Sequence, residues 1–342
     1  MPKKITIYDI AKKLNITAAS VSRALNNNPK ISDKTRKLVQ ETAAIMNYKP
    51  NRLAMALKSG KSNNVGVIVP KINSNFFSSI IRGIEDELFP QGYHVIICQT
   101  YESGNREIEN INALLNAQVD GIFMSYSGAT SNHDHLNSII EKNLPLIFFD
   151  RKVDIKGVSS VTINDFEGAY EATKQLIEQG CKHIAHLTID RSLEIYKDRF
   201  EGYQKALIDH GMEVRKEIII ESKSTLEGGK ASVKKLLKLN QKPDAIFSAS
   251  DFVALGAIRE LKSRGIRIPD EFCVTGFSNE PFTNFMELPI TSVDQFPLEM
   301  GKKVAQVFLE QVNNKGAKIE KNVVLNPKLY VRKSSTKNSN DK

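Results

Sequence analysis

Cysteine is scarce in this chain: Cys98, Cys181 and Cys273 are the three among 342 residues. They are odd in number and far apart, which builds neither a disulfide framework nor a Cys-x-x-Cys metal site. No apolar run reaches the length of a membrane-spanning helix. The stretch from Met1 to Asp9 has no apolar core and no small-residue cleavage site, so no signal peptide is read there. Few thiols and no export signal lead to the expectation of a reducing, cytoplasmic location and of no membrane partner. No Gly-x-Gly-x-x-Gly follows the first strand-like run, and no Gly-x4-Gly-Lys-Ser/Thr occurs anywhere, which argues against a nucleotide-dependent enzyme. No Ser/His/Asp or paired-carboxylate arrangement stands out by spacing. No catalytic residue, cofactor or resident metal is called for. His133 and His135 read as part of a solvated polar loop, and His183 and His186 as surface or lobe-packing residues beside a strand.

What is present is an ordinary globular mixture, 41% apolar and 25% charged, long enough for two or three domains. The charge is unevenly placed. Residues 1–62 hold 13 Lys and Arg against three acids, a net of +10 out of a total of +9. The body is therefore close to neutral, and the positive field sits on a small N-terminal piece, the footprint of a nucleic-acid-binding head. A basic tail would have no pattern, but this segment has one. Ile7, Ile10, Ala11 and Leu14 share a helix face, and Thr6 caps it. Asn15 falls in a tight turn that wants positive φ. Thr17 caps a second helix, with Val21, Ala24 and Leu25 inward, and a third starts at Ser32 and stops before Pro50. Three helices with a basic surface make an all-α helix-turn-helix head over residues 1–50.

From Val65 onward, short β-rich runs alternate with periodic helical stretches. Strands are expected at 65–69, 94–98, 121–124, 146–149, 161–163, 184–188, 218–220, 245–248 and 274–277. Helices are expected at 78–88, 107–117, 167–179, 199–210, 229–239 and 253–264. Such alternation gives parallel sheets covered by helices, and there are too many units for one sheet, so two α/β lobes are expected. Ligands of parallel sheets sit at the carboxyl ends of the strands. Just past those ends lie Phe76 and Phe77, Ser125, Asp150 and Arg151, Asn164, Asp251 and Ser278, with Arg199 opening a helix. Rings together with hydroxyls, amides and charges suit a sugar or polyol. Asp165 and Asp251 also read as caps of the helices beside them.

Three segments carry a family resemblance: Ile7-Tyr8-Asp9-Ile10-Ala11-Lys12, Val21-Ser22-Arg23-Ala24-Leu25-Asn26 and Asn47-Tyr48-Lys49-Pro50-Asn51-Arg52-Leu53-Ala54. Together they resemble the head of the LacI/GalR family of bacterial transcription regulators, and a looser likeness extends to about residue 333. The resemblance implies a cytoplasmic, nucleoid-associated regulator, most often a repressor. Its body, residues 63–333, would be two parallel-sheet lobes like those of periplasmic binding proteins, and residues 334–342 a polar tail. It implies a homodimer that reads a pseudo-palindromic operator in double-stranded DNA and answers to a small effector, a sugar or sugar derivative, in the inter-lobe cleft. In the second helix Ala18, Ala19 and Arg23 would face base edges, the Arg23 fork matching guanine. Thr6, Tyr8, Thr17, Ser20, Ser22 and Asn26 would hold the backbone, although Ser20 and Ser22 also read as merely exposed. Residues 51–62 would be a hinge helix and linker, with Arg52, Ala54 and Leu57 at the DNA and Leu57 wedged into a base step; alternatively Leu57 packs on its own body. Asp150, Arg199, Asp251 and Gln295 match effector positions. One departure stands out: many sugar-binding relatives carry an acid where this chain has Ser278, and that loss removes a hydroxyl acceptor. The rival reading is a soluble sugar-binding or sugar-processing protein with an incidental basic arm.

Overall fold

The computed structural model describes residues 5–49, 61–128, 133–314 and 320–337. Met1–Ser62 and Asn63–Lys342 form separate compact units. In the first, helices α1 (Ile7–Leu14), α2 (Ala18–Leu25) and α3 (Asp33–Ile45) bury Ile10, Val21, Ala24 and Val39 completely. The ends of the helices are fixed locally. At Thr6 both the N–H and the hydroxyl donate to Asp9 Oδ2, at 2.8 and 2.7 Å. Thr17 Oγ1 accepts from the Ser20 N–H at 3.1 Å, and Ser32 Oγ does the same for Thr35. Asn15 adopts the left-handed conformation (φ 52°) that lets α1 turn sharply into α2.

The body contains strands β1 (Asn64–Val69), β2 (His94–Gln99), β3 (Ile122–Met124), β4 (Leu146–Phe149), β5 (Ser159–Ile163), β6 (Ile184–Thr188), β7 (Ile219–Glu221), β8 (Ala245–Ser248), β9 (Cys273–Phe277), β10 (Thr291–Asp294), β11 (Asn322–Leu325) and β12 (Lys328–Tyr330). Its helices are α4 (Asn75–Leu88), α5 (Gly104–Asn116), α6 (Asn137–Glu141), α7 (Asp165–Glu178), α8 (Glu194–Asp209), α9 (Leu226–Leu236), α10 (Asp251–Ser263), α11 (Phe282–Phe285) and α12 (Pro297–Asn313). Two six-stranded sheets result, in the orders β11-β5-β4-β3-β1-β2 and β12-β10-β9-β8-β6-β7. Pairing is parallel throughout except for the β10–β12 pair. The central strands are apolar on both faces because helices cover both, as parallel sheets require.

The sheet orders show that the chain crosses between lobes three times: after β5, after β10 and after β11. Asn164 lies in the first crossing, where its N–H donates to Leu325 O of the third at 3.0 Å, and Gln295 lies in the second. Glycine decides one helix contact. A Cβ on Gly83 of α4 would collide with the Leu298 carbonyl of α12, and one on Gly301 of α12 with the Ile80 carbonyl, so the two backbones touch where no side chain intervenes.

Several boundaries differ from the sequence-based expectation. Helix α4 starts at Asn75 and not at residue 78, because Ser74 takes the extended cap conformation; Phe76 and Phe77 are thus on its first turn and not in a loop. Helix α8 starts at Glu194, which places Arg199 in its second turn. The expected polar tail does not begin at residue 334. Ser334 and Ser335 are fully buried: Ser334 Oγ donates to Val274 O at 2.6 Å and accepts from the Thr291 N–H at 2.8 Å. The Ser334 hydroxyl thus satisfies backbone groups along the β9–β10 seam, which an apolar residue could not do, and the Ser335 hydroxyl pairs with that of Thr291 at 2.7 Å.

Histidine placement also departs from expectation. His186 is in the core of the second lobe, where its ring lies near-parallel to those of Phe247 (4.9 Å, 9°) and Tyr203 (4.9 Å, 22°). Burial pushes its imidazole down to about 3, so the ring is neutral. His135 is not solvated either. Its Nε2 lies 2.9 Å from Oε1 of the fully buried Glu107, whose Oε2 accepts the Ser127 N–H at 2.8 Å. The three cysteines are free thiols; Cys181 and Cys273 are buried, and Cys273 Sγ donates to Pro269 O at 3.4 Å. Among the described residues no group of three or more His, Cys, Asp or Glu is placed to hold a metal ion. Nor is any helix among them long and apolar enough to cross a membrane.

Candidate DNA-binding face and effector cleft

On the head, Ala19, Arg23 and Asn26 follow the i, i+4, i+7 spacing that puts side chains on one helix face, and all three are exposed. Val21 and Ala24 occupy the buried opposite face. The Arg23 guanidinium has no hydrogen-bond or ion-pair partner among the described residues, so it is free for an external acceptor. Ala18, Ser20 and Ser22 are half-buried at the edges of this face. Thr17 and Ser20 are bonded to each other, hydroxyl to hydroxyl at 2.9 Å, and Asn26 Nδ2 donates back to Ser22 O at 2.8 Å. Tyr8 projects from α1 with 72% of its surface exposed, and Thr6 is exposed beside it. Arg52, Ala54 and Leu57 lie outside the described residues.

In the body, a cleft of about 190 Å³ opens between the lobes. The first lobe contributes Phe76, Phe77, Asp150 and Arg151, the second contributes Arg199 and Ser278, and Gln295 enters from a crossing segment. Three other expected residues do not line it. Ser125 is fully buried beneath Asp150, whose Oδ2 accepts from Ser125 Oγ at 3.1 Å. Asn164 caps α7 by accepting the Glu167 N–H at 3.0 Å. Asp251 is turned into the second lobe, where Oδ1 accepts from Ser292 Oγ at 2.7 Å and Oδ2 from the Glu280 N–H at 2.8 Å. Its carboxylate does not cap α10, the other sequence reading, but ties α10 to the turn after β9 and to β10. Sequence reasoning missed Glu102, Tyr196 and Glu280, all of which line the cleft. The early start of α8 explains Tyr196. The other two sit past strand ends, as expected of site residues: Glu280 lies two positions beyond Ser278, and Glu102 lies three past the end of β2, a strand end from which no site residue was expected.

The cleft is held by one buried ion pair and by a second whose acid is exposed. Arg199 Nε donates to Asp165 Oδ1 at 2.7 Å and Nη1 to Ala249 O at 2.8 Å, while its guanidinium lies 3.7 Å from the Phe277 ring centroid. Burial nevertheless pushes the Asp165 carboxyl up to about 6 against the pull of Arg199. Arg151 grips Glu102 in a fork, at 2.7 and 3.3 Å; its buried Nε has no hydrogen-bond partner and faces Asp150 Oδ2 at 3.7 Å. Asp150 is also raised, chiefly by burial. The backbone is unusual at each of these loops. Tyr101 and Glu102 after β2, Asp150 after β4, Ser278 and Asn279 after β9, and Phe296 after β10 all have positive φ. Such conformations in non-glycine residues cost energy and cluster where ligands are clamped.

Two family models match the chain, one over the head and one over the body. A model of bacterial regulatory proteins of the lacI family matches residues 6–51. A model of periplasmic binding proteins and the sugar binding domain of the LacI family matches residues 62–333. This chain belongs to the LacI family. Catabolite control protein A of Priestia megaterium is 33% identical over 97% of this chain and 99% of its own length. The transcriptional repressor PurR of Mannheimia succiniciproducens is 29% identical over 97% of this chain and 99% of its own. Among solved structures, the CelR–cellobiose complex has a TM-score of 0.72 at 27% identity, covering 97% of this chain and all of that one. The lac repressor dimer bound to operator shares the fold at a TM-score of 0.86, with 24% identity over 97% and 99% of the two chains. This LacI-family member is thus a DNA-binding transcriptional regulator, and the rival reading of a sugar-processing protein with a basic arm is set aside.

Proposed function

We propose that this regulator is a repressor whose affinity for its operator is set by a small neutral carbohydrate in the inter-lobe cleft. The observation that carries the ligand reading is the pairing state of the cleft. Its two arginines are matched by acids, Arg199 by the buried Asp165 and Arg151 by the exposed Glu102, and the carboxyls of Asp150 and Glu280 offset the remaining cation, Lys71, so no cationic excess is left to select an anion. The Gln295 amide, 2% exposed, has no partner among the described residues, and rings of Phe76, Phe77 and Tyr196 stand beside it. Free amides next to aromatic faces suit hydroxyl-rich rings. Two transcriptional regulators of this fold have been solved with sugars, CelR with cellobiose and a LacI-family regulator from Enterococcus faecium with ribose.

On the DNA side, α2 enters the major groove with Arg23 at a base edge, and Tyr8, Thr17 and Asn26 hold phosphates. The protein acts as a homodimer, so the operator is pseudo-palindromic. The test begins with selection of bound sites from genomic fragments. Fluorescence anisotropy on the selected site is then measured with and without a panel of neutral mono- and disaccharides. At least one sugar changes operator affinity, by the ~5–150-fold typical of such coupling. Gln295→Ala abolishes that response and leaves the sugar-free affinity intact. A panel without effect on DNA binding or on thermal stability overturns the carbohydrate reading.

A further inference from the structure

Glu280 differs from the other acids of the cleft. Glu102 is paired with Arg151, and Asp150 accepts a hydroxyl from Ser125, but the Glu280 carboxyl has no partner among the described residues. It is nevertheless 93% buried, since its relative exposure is 7%, and it lines the cleft. Its backbone, in contrast, is fully engaged. The Glu280 N–H donates to Asp251 Oδ2 at 2.8 Å, and its carbonyl accepts from Thr283 Oγ1 at 2.7 Å and from the Thr283 N–H at 2.9 Å. The preceding residue is held as firmly, with Asn279 Oδ1 accepting from Arg332 Nη2 at 2.7 Å and Nδ2 donating to Asp294 Oδ2 at 3.0 Å. A pinned turn that presents an unsatisfied buried carboxyl to a cleft is preorganised for an external donor.

We propose that Glu280 is the second lobe's acceptor for the ligand's hydroxyls, doing from two residues further along the turn what Ser278 lacks the carboxylate to do. This inference rests on the carbohydrate reading and narrows it: the ligand must offer a carboxylate two hydrogen-bond donors at once, as the vicinal diol of a sugar does. Ligand hydroxyls replace the water that burial has stripped from the group. Burial and the neighbouring Asp251 raise the Glu280 carboxyl to about 7, so the empty cleft holds it part-protonated near neutral pH. The other charged groups around it are Lys71, Glu102, Asp150 and Arg151 across the cleft and Arg199 on its own lobe. Asp251 lies beneath the turn, and Arg332 and Asp294 lie behind it. Asp150 is also raised and can add its own pH dependence, so a comparison of variants is needed rather than the wild-type slope alone.

The experiment measures sugar affinity of the full-length protein by isothermal titration from pH 5.5 to 8.5. Ribose and cellobiose are among the mono- and disaccharides tried. Wild-type affinity is flat above about pH 7 and falls below it, by up to tenfold per pH unit for one linked proton. Glu280→Gln weakens binding at least tenfold at pH 8 and flattens this dependence, while Glu280→Asp keeps the dependence. A deoxy analogue lacking one hydroxyl of the diol reproduces the Gln phenotype on unaltered protein. Wild-type binding that Glu280→Gln leaves unchanged in strength and pH profile overturns the inference alone. Failure of the wild type to bind any sugar overturns the carbohydrate reading and the inference with it.

Discussion

Replacement of Arg199 by methionine isolates one charge. Methionine keeps most of the side-chain volume and its contact with the Phe277 ring, so little cavity term enters. What is lost is the bond to Asp165, whose surface is 3% exposed, and the bond to Ala249 O. Removing one partner of a buried pair leaves the other charge uncompensated, which costs ~3–5 kcal/mol. For a domain of this size that is on the order of 10 °C in melting temperature. The pH dependence gives the sharper test. The folded Asp165 carboxyl stands at about 6, above its ordinary value of 3.8, so its contribution favours folding at low pH and is lost as pH rises through 6. Without Arg199 that carboxyl rises further, and the variant's deficit grows by about 1.4 kcal/mol per pH unit as pH rises from 6 toward the carboxyl's new value. Near pH 5 Asp165 is protonated in both proteins, and the deficit shrinks. Urea unfolding of the full-length protein, followed by circular dichroism at pH 5, 6, 7 and 8, reads this directly. Arg199→Met combined with Asp165→Asn recovers most of the loss at pH 8. A deficit under about 1 kcal/mol, or one constant from pH 5 to 8, refutes the reasoning.

Arg23→Ala costs ~1–3 kcal/mol on the selected operator and relaxes choice at one base pair per half-site. Equal losses on operator and random DNA would show that Arg23 touches only phosphate. Gly83→Ala forces α4 away from the Leu298 carbonyl of α12 and destabilises the body by ~1–3 kcal/mol in thermal unfolding, despite alanine's better helix propensity. His186→Phe keeps the aromatic stack but removes a base whose folded value, about 3, lies below its ordinary 6.5. That histidine supports the fold above pH 6.5 and loses its contribution as pH falls toward 3. The variant's stability therefore declines less steeply between pH 6.5 and 4, by up to about 1.4 kcal/mol per pH unit; parallel curves would contradict a buried neutral ring.

How much could be read from residues alone depended on how local the cause was. The head was legible because its determinants are short-range: caps at Thr6, Thr17 and Ser32, a left-handed Asn15, and one buried face per helix. Most strands from β1 to β9 announced themselves as β-branched and apolar runs, since strands covered on both faces of a parallel sheet favour such residues. The family signature rested on the same local segments. The assignment of chain to lobe did not, because β10, β11 and β12 return to sheets laid down far earlier in sequence, and only long-range pairing reveals the three crossings. Those crossings decide that Gln295 reaches the cleft while Asn164 caps a helix. Burial with pairing decides the rest. Ser334 and Ser335 look like tail residues until Thr291 and Val274 are placed against them. Asp251 and Glu280 are both acids near strand ends, and sequence offers no means of separating them. In the folded chain Asp251 spends both oxygens on its own lobe and Glu280 spends neither. A carboxyl's availability to a ligand depends on which donors the tertiary structure brings within 3 Å of it, and no pattern of neighbours along the chain encodes that.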